Sequence, residues 1–219
     1  MKNEKIIILD CGSQYTQLIA RCVREHNVFC EIFSYDNIPK ITSNVKGVII
    51  SGSPYSVHDE KSPKPIIDKI LQKLPILGIC YGAQYLALTN GGEVKQTTQR
   101  EYGRARLINI KKNQLFIGVK NLTQIWMSHG DTISKLPSKF RLLASTKNIN
   151  NAAFKVTDKD IYGIQFHPEV YHTTQGSLLI QNFLKRICRC SQDWSSHSYI
   201  HTTVSDLKSI LKNDKVVLG

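Results

Sequence analysis

Pro75-Ile76-Leu77-Gly78-Ile79-Cys80-Tyr81-Gly82-Ala83-Gln84 is the stretch that decides how this chain is read. A short apolar run ends on a cysteine flanked by Gly78 and Gly82. The spacing is G-x-C-x-G, the sulfur counterpart of the G-x-S-x-G elbow. In such an elbow a strand turns sharply into a helix and lifts a nucleophile clear of the sheet. The glycines are needed because side chains there would collide with the turn and its neighbours. A thiol so placed faces the N-terminus of the next helix, whose partial positive charge favours thiolate. The helix that follows has Tyr85, Leu86 and Leu88 as apolar residues and Gly91-Gly92 as its stop. A buried structural cysteine at a strand end fits the same residues, since cysteine is among the most buried residue types. A partner histidine separates the two readings.

Working outward, Ile6-Ile7-Ile8-Leu9-Asp10 is an unalternating β-branched run, the pattern of a strand buried on both faces of a parallel sheet. Cys11-Gly12-Ser13-Gln14 reads as a turn. A helix is predicted from about Tyr15 to Glu25, with Leu18, Ile19, Cys22 and Val23 on its inner face. Val28 to Phe33 alternates as a strand, and Gly47-Val48-Ile49-Ile50 is another buried one, ending in Ser51-Gly52-Ser53-Pro54. A helix is expected from about Pro63 to Leu74, burying Ile66, Ile67, Ile70 and Leu71. Strands and helices alternating at this rhythm predict an α/β fold with an open, mostly parallel, twisted sheet and helices on both faces. In such sheets the chemistry lies beyond the carboxyl ends of the strands, where Asp10, Gly52 and Cys80 all fall.

The second half changes character. Segments 104–110, 124–127, 152–156 and 162–166 read as strands with few helices between them, which predicts an antiparallel edge or a small additional antiparallel sheet. A helix from about Gly176 to Arg189 closes the domain. Residues 191–203 are polar and serine-rich, a linker by composition. A short helix capped by Ser205 is expected over 204–212, and Lys215-Val216-Val217-Leu218-Gly219 reads as the opening of a further buried strand, as if the chain were a fragment.

The 219 residues, 41% of them hydrophobic, suffice for one domain with a core plus an appendage. No apolar run approaches the roughly 18 residues of a membrane span, and Met1 to Lys5 leads straight into a strand, which reads as a cytoplasmic chain with no membrane partner. The six cysteines form no disulfide framework. The formal charge of +12 raises nucleic-acid binding, but the lysines are scattered, with no basic stripe interleaved with aromatics, so no nucleic-acid partner is expected.

Seven histidines are available as a base for Cys80, and His167 is the best placed. It ends a strand two residues before Glu169. In an extended segment those two side chains point the same way, so the carboxylate could hold one ring nitrogen while the other faces the thiol. The competing reading is a surface turn with an incidental histidine and glutamate. His129, in Met127-Ser128-His129-Gly130-Asp131, is the rival base, on what reads as a loop shaping a pocket. Cys188-x-Cys190 with His197 and His201 invites a zinc site, but the C-x-C spacing is too short and no second cysteine pair exists, so no metal is expected. The oxyanion of a tetrahedral intermediate needs donors. The backbone N–H of Tyr81 and the turn containing Gly52 and Ser53 are the natural ones.

Gly78 to Gln84, together with Gln165-Phe166-His167-Pro168-Glu169, resembles the class I glutamine amidotransferases, a flavodoxin-like fold. Leu9 to Arg21, Trp126 to Asp131 and His167 to Gly176 are similar to the glutaminase half of the GMP synthetases, over about residues 5 to 194. The resemblance implies that Cys80 attacks the side-chain amide of glutamine, that His167 serves as base and then acid, and that Glu169 orients it. It further implies that Gln84 and the segment Ser128, His129, Gly130 and Asp131 line the glutamine pocket. Ser53 stands where the family usually has glycine, a change that would cost energy if the position required positive φ. Cys11 and Ala83 replace the usual phenylalanine and methionine. By the same resemblance, residues 1–190 form the amidotransferase domain. Residues 191–219 form a linker, a short helix and the first strand of an ATP pyrophosphatase domain, which adenylates XMP for its amination to GMP. That domain, in cis or in trans, would be the partner. ATP and magnesium belong to it, and the amidotransferase domain needs no cofactor.

Overall fold

The computed structural model describes residues 4–67, 73–212, 214, 216 and 217. Its main sheet starts with β1 (Lys5–Asp10), followed by α1 (Thr16–Glu25), β2 (Phe29–Ser34), β3 (Val45–Ile50) and β4 (Ile76–Ile79). After the elbow comes α2 (Tyr81–Thr89). Two long strands, β5 (Glu93–Arg106) and β6 (Gln124–Lys135), pair antiparallel as a separate ribbon. β7 (Phe140–Ala144), β8 (Ala153–Val156) and β9 (Ile161–Ile164) return to the main sheet. Helix α3 (Gly176–Asn182) runs into a π-helical turn (Phe183–Ile187), and α4 (Ser196–Leu211) ends the fold.

The strand order is β2-β1-β3-β4-β9-β8-β7, with the first five strands parallel and the last two antiparallel. Both the antiparallel edge and the added small sheet are therefore present. From β1 the chain steps first to one side and then to the other, so the β1/β3 boundary is the switch point at which such sheets open a crevice. Because alternate strand residues face opposite ways, β1 supplies both cores. Ile6 and Ile8 pack with Ile19 and Val23 of α1 and with Ile180 and Phe183, whereas Ile7 and Leu9 pack with Leu86 and Ala87 of α2. That double burial is why the run shows no alternation.

Several expectations shift. Leu18 is exposed, because Thr16, Ile19, Ala20 and Val23 already fill the inner stripe of α1. Residues 63–67 are not helical; Ile67 is buried but Ile66 is 71% exposed, and the rest of the expected helix lies largely outside the described residues. Segment 128–131 is not a loop but the middle of β6, and of segment 104–110 only 104–106 belong to a strand, the end of β5, with Ile108 in an isolated bridge to Ser145. The linker is shorter than composition suggests, since α4 starts at Ser196 with Ser195 as its cap in a reciprocal capping box with Ser198. None of the residues of α4 is buried. Val216 and Val217 are exposed and form no strand, and the remainder of that expected strand lies outside the described residues.

Candidate active site

The elbow is built by exclusion. A Cβ on Gly78 would stand 2.7 Å from the carbonyl of Gly82, and one on Gly82 would stand 2.6 Å from the carbonyl oxygen of Ile50. Neither position accepts a side chain, so β4 and α2 can meet at this angle only through glycine. Between them Cys80 takes φ 51° and ψ −105°, a left-handed-side conformation that a non-glycine residue adopts at a cost of about 1–3 kcal/mol. The turn is held by Cys80 N–H donating to Ile164 O at 2.8 Å and by Cys80 O accepting from Ala83 and Gln84. The thiol lies 3.8 Å from Ser128 O, and the Gln165 amide donates towards it at 3.9 Å.

His167 follows β9. Its backbone N–H donates to Trp126 O at 3.0 Å, and its carbonyl accepts from the Thr173 hydroxyl, which in turn accepts from Trp126 N–H. Gly176 closes the same loop, since a Cβ there would overlap the Pro168 carbonyl oxygen at 1.9 Å. This clamp gives Thr173 and Gly176 their place in the loop after His167. The His167 Nδ1–H donates to Glu169 Oε1 at 2.7 Å, with both side chains buried. Burial works against charge on His167, but Glu169 and the adjacent Cys80 hold its pKa well above the ordinary histidine value.

Cys80 and His167 open into a cavity of about 530 Å³ at the carboxyl ends of β1, β3 and β4. Gln84, Ser128, His129, Gly130 and Asp131 line it, as does Ser53. Along β6 the buried residues are Ile125, Met127, His129, Asp131 and Ile133, so His129 and Asp131 occupy the inward register of an ordinary strand. The Gln84 amide donates to Asp131 O at 2.8 Å and ties α2 to β6. Neither ring nitrogen of His129 makes a well-formed hydrogen bond, although the Asp131 backbone is close. Burial pushes His129 down to about 4, the Asp131 backbone opposes this, and the charge on His167 adds to it. As the rival base it therefore stands beside His167 in the same cavity but has no carboxylate holding its ring. Gly130 also borders the cavity, and a Cβ on it would meet no heavy atom within 4 Å.

Tyr81 is the first residue of α2, and Gly52 lies so close to the imidazole that a Cβ would be 3.3 Å from His167 Cε1. Ser53 avoids the left-handed region, so serine carries no backbone strain there. The zinc alternative does not assemble. Cys188 and Cys190 are buried while His197 and His201 project from the exposed α4, and among the described residues no group of three or more ligating side chains forms. Burial holds Cys11, Cys22 and Cys190 up at about 12 and Cys30 at about 11, so these thiols are poor nucleophiles at neutral pH. Sequence reasoning missed Gln165, whose position two residues before His167 on an extended segment was the available signal. It also missed Tyr15 and Tyr102, which line the cavity from other elements.

A profile of class I glutamine amidotransferases matches residues 7–187. The chain belongs to the class I glutamine amidotransferase family. It is 54% identical over 217 residues to the glutamine-hydrolysing GMP synthase of Bacteroides fragilis and, over the same length, 54% identical to that of Cytophaga hutchinsonii. Both matches cover 99% of this chain and 43% of the relative, so the chain spans less than half the length of the curated relatives it matches. The crystal structure of a Thermoplasma acidophilum protein assigned as a GMP synthase subunit superposes with a TM-score of 0.72 at 30% identity, covering 92% of this chain and 99% of that one. Among the described residues of this amidotransferase, no helix is long and apolar enough to cross a membrane.

Proposed function

We propose that this chain is the glutaminase portion of a glutamine-hydrolysing GMP synthase and that Cys80, His167 and Glu169 are its catalytic triad. The Cys80 thiolate attacks the side-chain carbonyl carbon of glutamine. The resulting oxyanion is received by the backbone N–H of Tyr81 and by the turn containing Gly52 and Ser53. His167, protonated and aligned by Glu169, gives its proton to the departing nitrogen, and the C–N bond breaks to release ammonia. A glutamyl thioester remains. The now neutral His167 takes a proton from water, whose oxygen attacks the thioester, and glutamate leaves with Cys80 regenerated. Gln84, Ser128, His129, Gly130 and Asp131 hold the amino-acid end of the substrate.

The observation that carries this reading is the meeting of a strained Cys80 elbow with a buried His167–Glu169 pair at one cavity. The lengths of the relatives support a further, synthetase portion; on this reading the ammonia passes to it, and it uses ATP and magnesium to aminate XMP. On this reading residues 1–190 are the amidotransferase domain, residues 191–219 lead into the synthetase, and the protein works in the cytoplasm. Intact-mass analysis of enzyme quenched during turnover of glutamine tests the chemistry. A glutamyl adduct on the Cys80 peptide is expected, and turnover with no covalent adduct under any quench condition would remove the thioester route.

A further inference from the structure

The stretch from Asp10 to Thr16 takes no part in the chemistry above, yet a set of short-range hydrogen bonds ties it together. Asp10 Oδ1 accepts from Gly12 N–H at 2.9 Å and from the Thr16 hydroxyl at 2.8 Å. Ser13 Oγ accepts from Tyr15 N–H at 3.1 Å, and Ser13 O accepts from Thr16 N–H at 3.2 Å. Gly12 sits at φ +89°, which this tight reversal requires. These bonds hold Tyr15 through its own N–H and through Thr16 beside it, and the Tyr15 ring packs edge-on against the His167 imidazole, with centroids 4.9 Å apart and planes at 71°.

We infer that Tyr15 is a positioning residue for His167, held by the Asp10–Thr16 turn as the partition between the glutamine cavity and a second groove behind the triad. The imidazole has Glu169 on Nδ1 and Gly52 against Cε1, and Tyr15 closes a remaining side. Tyr15 lines both the cavity that holds Cys80 and a groove of about 570 Å³ bordered by Leu18, Trp126, Glu169 and Tyr171. Without its ring, water from that groove reaches a pair whose side chains are otherwise only 4% and 0% exposed, and the imidazole gains room to turn away from the thiol. The phenol oxygen is not what this role needs; the ring is.

This inference rests on the triad proposed above, so its test reports on both. The probe is 6-diazo-5-oxo-L-norleucine, an electrophilic glutamine analogue, with the rate of covalent labelling of Cys80 read by mass spectrometry alongside KM and kcat for glutamate release. Tyr15→Leu should slow labelling and kcat by about tenfold or more, the scale on which small misplacements of a catalytic group act, with KM changed much less. Tyr15→Phe should return both to within about threefold of the native chain, and thermal melting should place all three among folded proteins. Native rates in Tyr15→Leu, or a Tyr15→Phe variant as slow as Tyr15→Leu, would overturn the inference while leaving the triad intact. A native chain unlabelled at Cys80 would overturn the triad itself, and the inference with it.

Discussion

A Cβ placed on Gly78 would lie 2.7 Å from the backbone carbonyl of Gly82, so the first turn of α2 leaves no room for a side chain at the end of β4. The G-x-C-x-G spacing is thus a steric requirement of the turn, and the thiol between the two glycines is the group that the proposed chemistry uses. Gly78→Ala has to push β4 and α2 apart, and we expect a loss of about 2–3 kcal/mol in denaturant unfolding, as for other overpacked sites. Glutaminase activity should fall further than stability, because the thiol moves with the turn. A Gly78→Ala protein of native stability and rate would show that the elbow is not constrained in this way.

Glu169→Gln keeps the shape of the buried pair but removes its charge. The His167 pKa is raised because Glu169 and Cys80 together outweigh burial. The stability gained from that raised value is present below the unfolded value of about 6.5 and is lost as pH rises through the folded one. In Glu169→Gln the NMR titration of His167 should move to lower pH, and kcat should fall by about a hundredfold or more with the fold retained. An unmoved titration would mean that Glu169 does not set the charge on His167.

His129 should work in the opposite sense. Its folded value of about 4 lies below the unfolded 6.5, so between those limits the unfolded chain binds a proton that the folded chain refuses. Stability should fall as pH falls through that window, by up to roughly 3 kcal/mol, and should not depend on this group above it. Urea unfolding of the native chain and of His129→Gln at pH 7 and pH 4.5 isolates the contribution. The variant should lose less stability on acidification.

Gly130 offers a direct probe of the cavity, because a Cβ there would meet nothing within 4 Å. Gly130→Val should therefore leave the melting temperature within a few degrees while filling the space that glutamine would occupy. An increase of about tenfold or more in KM is expected, and an unchanged KM would place the substrate elsewhere.

Much of this was legible from residue order alone, for reasons that particular residues make plain. Gly78, Cys80 and Gly82 announce the elbow because their constraint is local. Ile6 to Leu9 announces a strand buried on two faces because both cores draw on it. His167 and Glu169 could be paired from their i, i+2 spacing. Segment 128–131 reads as a loop in sequence because His129 and Asp131 occupy the inward register of β6 between Met127 and Ile133, where polarity masks the alternation. The start of α4 falls earlier than its sequence suggests because its cap, Ser195, is one serine among several in a polar stretch. Tyr15 and Tyr102 could not be found because their place at the cavity depends on how distant elements pack.

Glutamate release from glutamine by the purified chain, measured beside Cys80→Ala under the same conditions, tests the central claim most directly. Burial leaves Cys11, Cys22, Cys30, Cys188 and Cys190 poorly suited to replace Cys80, so no other thiol should rescue the variant. The account predicts release by the native chain that disappears in Cys80→Ala, with both proteins equally folded. Equal release from the two proteins, or none from a native chain whose Cys80 also resists the electrophilic analogue, would contradict it.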